Sequence, residues 1–321
     1  MSQVVLRALA LASIAALTPP SNAFAHCFAG ARFFPATLTT DDPCVADEMS
    51  LPTVQYNSAN PSGREHDIEA DFAKRITENF GISVASTWTR VSPPADDGTA
   101  GPVAYGFQNL VTTAQFQLFK DPQRELALLA GVIVNWGGSG AAGVGANPWS
   151  TVTPTFYFGK GFGDLPDSAG FMRAFAVTGQ VGYEIPTTSL DLVSGNFVPQ
   201  NLLWGTSLQF SLPYLKQNVV DLGLPDFVNH LIPIVEAQFT APVANNFGND
   251  SITTGTVNPG VIWVGSYFQV GVEAIVPINR ASGTSVGAIA QLHFYLDDIF
   301  PSTLGQPLLG GKQQATAMAR R

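Results

Sequence analysis

The feature of this chain that most limits its fold is an alternation of polar and apolar residues with a period of two. It recurs in segments of roughly ten residues, which Gly, Pro, Asn and Asp separate. In one segment Asp67, Glu69 and Asp71 share a face, and apolar residues occupy the opposite face. Beyond the N-terminal region no run reaches the roughly 18 apolar residues of a spanning helix. The pattern therefore predicts strands.

The connections between these segments predict how many strands there are. Eleven segments are evident, and short turns such as 121–123 alternate with longer connections such as 137–150. Barrels of the outer membrane keep short turns in the periplasm and long loops outside. The segment around Ile68 then runs inward, so an outward strand must precede it. The twelve predicted strands are 51–57, 67–72, 82–88, 110–119, 126–136, 151–158, 173–183, 204–212, 232–240, 257–264, 267–276 and 285–296.

These strands predict an all-β fold, an up-and-down antiparallel transmembrane β-barrel over residues 50–297. Strands of about 9–11 residues span a bilayer when tilted, and a sheet in lipid must close to pair its backbone groups. Only 12% of residues are charged, about half the share usual in soluble domains. A soluble β-sandwich or lectin-like domain is the alternative. The low charge disfavours it, as do aromatic residues such as Trp88, Trp136 and Trp263 at predicted strand ends.

Residues 1–25 are typical of a cleaved secretory signal peptide. Arg7 precedes an apolar run over 8–17, and a small-x-small motif ends at Ala25. We expect cleavage before His26. The run is too short for a comfortable membrane anchor. Because a lipoprotein signal needs a small residue before its cysteine, His26 before Cys27 argues against lipidation.

Residues 26–49 are predicted to be an N-terminal periplasmic segment with a Cys27–Cys44 disulfide. These are the only two cysteines, and an exported protein meets an oxidising compartment. The closed loop would add about 3 kcal/mol of stability. Two free thiols or a metal site are less favoured, since His26 and the nearby Asp residues lack a ligand spacing. Alternatively, the segment enters the barrel lumen from the periplasmic side. Residues 298–321 are predicted to be a periplasmic tail.

The inward side chains are the candidate functional residues. Acids in a narrow pore repel anions and favour neutral or cationic solutes. The alternative is that these polar groups bond one another and fill the barrel. The predicted pore-lining residues are Asp67, Glu69, Asp71, Gln115, Gln117, Tyr157, Gln180, Gln209, Glu236, Gln238, Gln269, Glu273, Gln291 and His293, with Thr113, Ser207 and Tyr295 on the same face.

Motifs for catalysis or cofactor binding do not occur in the sequence. It has no GxSxG, HExxH or P-loop motif, and neither His230 nor His293 has a serine at a persuasive spacing. We therefore expect no enzyme activity, no cofactor and no metal. A net charge of −9 argues against nucleic acid as a partner. The expected partners are outer-membrane lipid and a small-molecule solute.

Four stretches resemble a known family of outer-membrane proteins. They are GFQNLVTTAQFQLF at 106–119, STVTPTFYFGKGFGDLP at 150–166, FAVTGQVGYEIPT at 175–187 and HFYLDDIFP at 293–301. They resemble the putative outer-membrane transporter family associated with the meta-pathway of phenol degradation. The resemblance implies a transporter-like barrel for aromatic or other small hydrophobic compounds. It carries over no binding residues.

The functional hypothesis is passive passage of small neutral, weakly cationic or aromatic molecules across the bacterial outer membrane. Two alternatives stay open. One is a closed structural or adhesive barrel whose long loops bind partners. The other is an outer-membrane lipid hydrolase that uses His230 or His293.

Overall fold

A computed structural model of the protein describes residues 27–60, 63–93, 95–96, 99–192, 194–246 and 251–309. The expected signal peptide and His26 lie outside this part of the chain. Among the described residues, no helix has both the length and the apolar character needed to cross a membrane.

Twelve long strands form one closed antiparallel sheet. Each strand pairs with the next along the chain, and the last pairs with the first. All twelve predicted segments correspond to these strands, so the all-β barrel is confirmed. The strands are β1 Glu48–Asn60, β2 Gly63–Thr77, β3 Phe80–Ser92, β4 Val111–Asp121, β5 Leu126–Asn135, β6 Thr151–Gly161, β7 Phe175–Pro186, β8 Gln200–Phe210, β9 Leu231–Ala244, β10 Thr254–Val264, β11 Phe268–Pro277 and β12 Gly287–Tyr295.

Side chains alternate between the two faces of this wall. In β11, Val270 and Val272 are exposed on the outside, whereas Gln269 and Glu273 are buried within. Large apolar side chains are exposed in the same way along the other strands. In water such a surface would be unfavourable, but in a bilayer lipid covers it. The protein is thus an outer-membrane β-barrel, as the alternation predicts.

The connections at the end where β1 begins and β12 ends include the short turns, so this end is periplasmic by the rule of turn lengths. Two longer connections also lie there. One holds a 3₁₀ helix, Asp167–Ala174. The other holds two short helices, α1 Leu212–Asn218 and α2 Asp226–Asn229. A last helix, α3 Leu296–Ile299, follows β12.

At the opposite end a loop completes the wall beside β3. The periplasmic half of β3 pairs with β4, but its outer half pairs with a short strand, Ala104–Phe107. The loop after β5, with a 3₁₀ turn at Ala142–Val144, packs on this short strand, and the amide of Ala141 donates to the carbonyl of Phe107 at 2.8 Å. Two further short pairings are Phe28–Ala29 with Arg32–Phe33, and Ala95–Asp96 with Thr99–Ala100.

The outward position of Val272, midway along β11, yields a first prediction. Val272→Arg should lower the free energy of unfolding by about 2–4 kcal/mol, because it places a charge in the middle of the hydrocarbon layer. Denaturant unfolding in lipid vesicles measures this cost. The matched control is Gln238→Arg, which points inward and should cost much less. Equal costs for the two variants would contradict the assignment of faces.

Candidate functional site

Residues 27–47, here called the plug, enter the barrel from its periplasmic end. The predicted disulfide is confirmed, since Cys27 and Cys44 are bonded and close the plug into a loop. From its sequence this segment is predicted to lie in the periplasm, with the barrel lumen as the second possibility. Its contacts with inward side chains, described next, place it in the lumen.

Glu236 of β9 holds the tip of the plug. Its carboxylate accepts hydrogen bonds from the backbone amides of Leu38, Thr39 and Thr40 at 2.8, 2.9 and 3.0 Å, and from the hydroxyl of Thr40. Glu236 is 0% exposed. Hydrogen bonds to an ionised acceptor are stronger than those between neutral groups. One inward carboxylate therefore satisfies three successive amides that would otherwise be buried without partners.

Leu38 anchors the same tip by apolar contact. It packs against inward isoleucines of β9 to β12, and Gly271 of β11 leaves room for it, because a Cβ there would lie 2.5 Å from Leu38 Cδ1. Burying a leucine side chain contributes about 1.5–3 kcal/mol. The sequence analysis treated the inner face as polar and did not include this apolar patch. The isoleucines are Ile232, Ile234, Ile262, Ile275 and Ile289.

Four of the predicted pore-lining glutamines bind the plug. Gln115 donates to the carboxylate of Asp41 at 2.8 Å, and Gln180 accepts from the amide of Asp41 at 3.2 Å. Gln117 and Gln269 donate to backbone carbonyls of the plug. These glutamines face inward as the alternation predicts, but their partner is a peptide segment.

The base of the plug is fixed by a buried arginine. Arg32 Nε lies 3.0 Å from Glu125 Oε2, and its guanidinium carbon lies 3.6 Å above the ring centre of Tyr214 in α1. Tyr214 donates to the same carboxylate at 2.6 Å. Burial is the largest cause that raises the pKa of Tyr214 to about 12. The hydrogen bond to Glu125 and the negative charge of Glu125 raise this pKa further. The phenol therefore keeps its proton, and its hydrogen bond to Glu125, at physiological pH.

Asp47 ties the other end of the plug to the wall. Its carboxylate accepts from Lys74 Nζ at 2.6 Å and from Arg75 Nε at 2.9 Å. The same two cations donate to the backbone carbonyls of Leu304, Gly305 and Gln306, so the C-terminal segment packs here as well. The alternation alone included no interior cation, whereas the structure places Arg32, Lys74 and Arg75 there, each in an ion pair, and Lys120 near Asp42 of the plug.

Other predicted residues bond within the wall. Gln209 donates to Ser207 at 2.8 Å, Gln291 donates to Thr53 at 3.3 Å, and His293 shares a hydrogen bond with Ser50 at 2.9 Å. The side chains of Asp71, Tyr157 and Glu273 also face inward. All fourteen predicted residues thus lie on the inner face. Their role in lining a pore remains a prediction.

Two adjoining polar cavities lie on the loop side of the plug tip. They have volumes of about 280 and 190 Å³ and share Thr39, Gln55 and Gln238. The larger is also lined by Asp67 and Glu69, whose carboxylates accept from threonine hydroxyls of β3. Their walls are hydroxyl, amide and carboxylate groups with a few apolar contacts. This chemistry suits a hydrated solute with hydrogen-bonding groups.

No protein-family model matches the sequence, and no curated protein matches it. Solved structures similar to this chain include the KdgM porin, with 10% identity, a TM-score of 0.44 and coverage of 76% of this chain and 97% of that one. They also include an outer-membrane channel from Pseudomonas putida F1, with 12% identity, a TM-score of 0.49 and coverage of 82% and 98%. An outer-membrane phospholipase from Escherichia coli has 9% identity, a TM-score of 0.37 and coverage of 80% and 94%.

The contacts of Glu236 yield a second prediction. In Glu236→Gln, an NH₂ group replaces one acceptor oxygen and faces two of the four donors. Two lost hydrogen bonds correspond to about 1–3 kcal/mol, so hydrogen exchange at Leu38, Thr39 and Thr40 should accelerate ~5- to 150-fold. Hydrogen exchange followed by mass spectrometry measures it. Glu69→Gln, an equal charge change at a carboxylate that accepts from Thr87 of the wall, should leave these amides protected. Unchanged exchange in Glu236→Gln would show that the carboxylate does not hold the tip.

Proposed function

We propose that this protein is an outer-membrane channel for small neutral or weakly cationic molecules, and that the plug is its gate. The observation that carries the proposal is the pair of polar cavities that end at a plug tip held only by non-covalent contacts. A barrel of twelve strands is wider than its own side chains fill, so a path exists where the tip moves.

The charges around the path support the choice of solute. Asp67 and Glu69 line the larger cavity, and Asp41 is exposed at the plug tip. The interior cations Arg32, Lys74 and Arg75 are paired with acids at the periplasmic end, where Lys120 also lies near Asp42. A low-dielectric wall focuses the field of the unpaired acids along the lumen. The field raises the local concentration of cations and lowers that of anions.

The attachment of the plug supports a hinged motion. Its two ends are held by Arg32 and Asp47 and joined by the disulfide, whereas its tip is held by Glu236 and by the burial of Leu38. The tip can leave its seat while the base stays. The family resemblance adds aromatic molecules to the candidate solutes, and the isoleucine patch that Leu38 would uncover offers such molecules an apolar contact.

One cluster favours a second candidate, a hydrolase. Ser50 Oγ lies 2.9 Å from His293 Nδ1, and His293 Nε2 lies 3.2 Å from Glu48 Oε2. The order of groups matches a serine–histidine–acid triad. Ser50 is 7% exposed and His293 2% exposed, beneath the plug, so substrate has no access in this state. We therefore assign these three residues a structural role in the wall.

A serine-reactive probe distinguishes these two functions. We expect a fluorophosphonate to leave Ser50 unlabelled in the wild-type protein and in Glu236→Gln, because a hydrogen bond to a buried histidine does not by itself make a nucleophile. Labelling is measured by mass spectrometry of the peptide that contains Ser50, with Ser50→Ala as the control. Labelling that disappears in Ser50→Ala would favour the hydrolase.

Conductance in planar bilayers tests the channel itself. Wild-type protein should open rarely and, when open, should favour cations over anions. Glu236→Gln should open at least ~tenfold more often, because about 1.4 kcal/mol of plug binding corresponds to a tenfold change in population. Glu69→Gln should reduce cation selectivity without raising the frequency of opening.

A locked variant completes this experiment. Leu38→Cys with Gly271→Cys places two thiols at the contact between the plug tip and β11. It should be silent when oxidised and should conduct after mild reduction, with reduced wild type as the control. Anion selectivity, or silence in Glu236→Gln and in the reduced locked variant, would remove the proposed function.

A further inference from the structure

The lipid-facing side of the wall changes character near the loop end of β1, β2 and β3. Two successive rows of directly opposed residues cross these strands and the short strand beside β3. The row nearer the middle of the barrel is apolar and consists of Val54, Ile68, Trp88 and Phe107. The next row toward the loops consists of Tyr56, His66, Arg90 and Tyr105. Because tryptophan and tyrosine concentrate where hydrocarbon meets headgroups, the edge of the hydrocarbon layer falls between the two rows.

The second row points away from the lumen. Thr89 of β3 donates to Asp67 of β2 at 2.6 Å, and Asp67 lines the larger polar cavity inside the barrel. Side chains change sides at every residue of a strand, so the neighbours Arg90 and His66 point outward. The ring of Tyr56 lies 4.8 Å from the ring of His66 on that outer surface. The row is therefore separated by the wall from the path of any solute.

Arg64 adds a second guanidinium to the same surface. It is exposed, lies two positions before His66 on β2, and is the diagonal neighbour of Arg90 at about 7–8 Å. Among the described residues, three lysines or arginines lie at the loop end, and the third is Arg280 in the connection after β11. The chain thus places two of its three cations at this end side by side. Arg64, His66 and Arg90 are here called the basic patch.

The basic patch has no acid to balance it. In the part of the chain that the structure describes, the ion pairs join other residues, and none includes Arg64 or Arg90. Like charges at neighbouring positions of a sheet are destabilising. An anion held between the two guanidinium groups would remove this repulsion.

We propose that the basic patch binds the phosphate group of a lipid in the outer leaflet. A guanidinium presents parallel N–H donors that match phosphate oxygens and keeps its charge at physiological pH. The position of the patch selects a lipid as the source of the phosphate, because the apolar row directly beneath it offers a surface for acyl chains. A second copy of this chain is disfavoured, since two identical basic patches repel each other. The site does not depend on the proposed channel function.

Titration of the full chain in detergent with bisphosphorylated lipid A, followed by native mass spectrometry, tests the site. Wild type should bind lipid A at least ~tenfold more tightly than Arg64→Gln with Arg90→Gln, because each basic residue near a lipid surface adds to the attraction of anionic headgroups. The matched control is Arg124→Gln with Lys216→Gln, which removes the same charge from exposed positions at the periplasmic end and should bind as wild type does. Heat-modifiable migration on a gel checks that every variant is folded.

Two further ligands identify the source of the phosphate. Lipid A without its phosphates keeps its acyl chains, and it should bind wild type and the Arg64, Arg90 double variant equally. Inorganic phosphate at the same concentration should not displace lipid A, because it makes no contact with the apolar row.

Several results would overturn this proposal. Equal binding of lipid A by wild type and the double variant removes the site, and displacement by inorganic phosphate assigns the patch to a free anion. A dimer of wild type without lipid, lost in the double variant, assigns it to a second copy. The channel function is tested separately, since a double variant that loses lipid A but still conducts supports both proposals, and a silent wild type that binds lipid A through the patch loses only the channel.

Discussion

Backbone hydrogen bonding across the wall is the constraint on which the rest of this structure depends. Peptide groups in hydrocarbon have no water to bind, so the sheet must close, as the pairing of β12 with β1 accomplishes. Closure commits one face of every strand to lipid and the other to an enclosed interior. It also commits the chain to an interior wider than its own side chains fill. The plug occupies that volume.

Different interactions hold the plug at its base and at its tip. At the periplasmic end, buried ion pairs of Arg32 with Glu125 and of Asp47 with Lys74 and Arg75 fix its ends. Breaking one partner of such a pair is costly, so these ends are rigid. At the tip, amides meet a single carboxylate and one leucine meets an apolar patch. These contacts are hydrogen bonds and apolar burial, and the proposed gating motion requires only that they separate.

Interior polar side chains have three different roles in this barrel. Gln115 and Gln180 hold the plug, Gln209 and Gln291 bond their strand neighbours, and Gln238 faces the cavities. All five are glutamines at inward positions, and only their surroundings distinguish them. The cluster of Ser50, His293 and Glu48 makes the same point, because its groups follow the order of a triad while Ser50 and His293 are buried in the wall.

Alternation and connection lengths by themselves determined the fold class, the twelve strands and which side chains face inward. This is possible because side chains on a strand change sides at every residue, and every strand of a closed antiparallel barrel follows that rule. The cysteine count and the exported state likewise predicted Cys27–Cys44. The place of the plug was decided only by the tertiary structure. Leu38 and Glu236 are 198 positions apart, and Ser50 and His293 are 243 apart. No local pattern encodes such contacts, since they arise only once closure brings distant strands around a common interior.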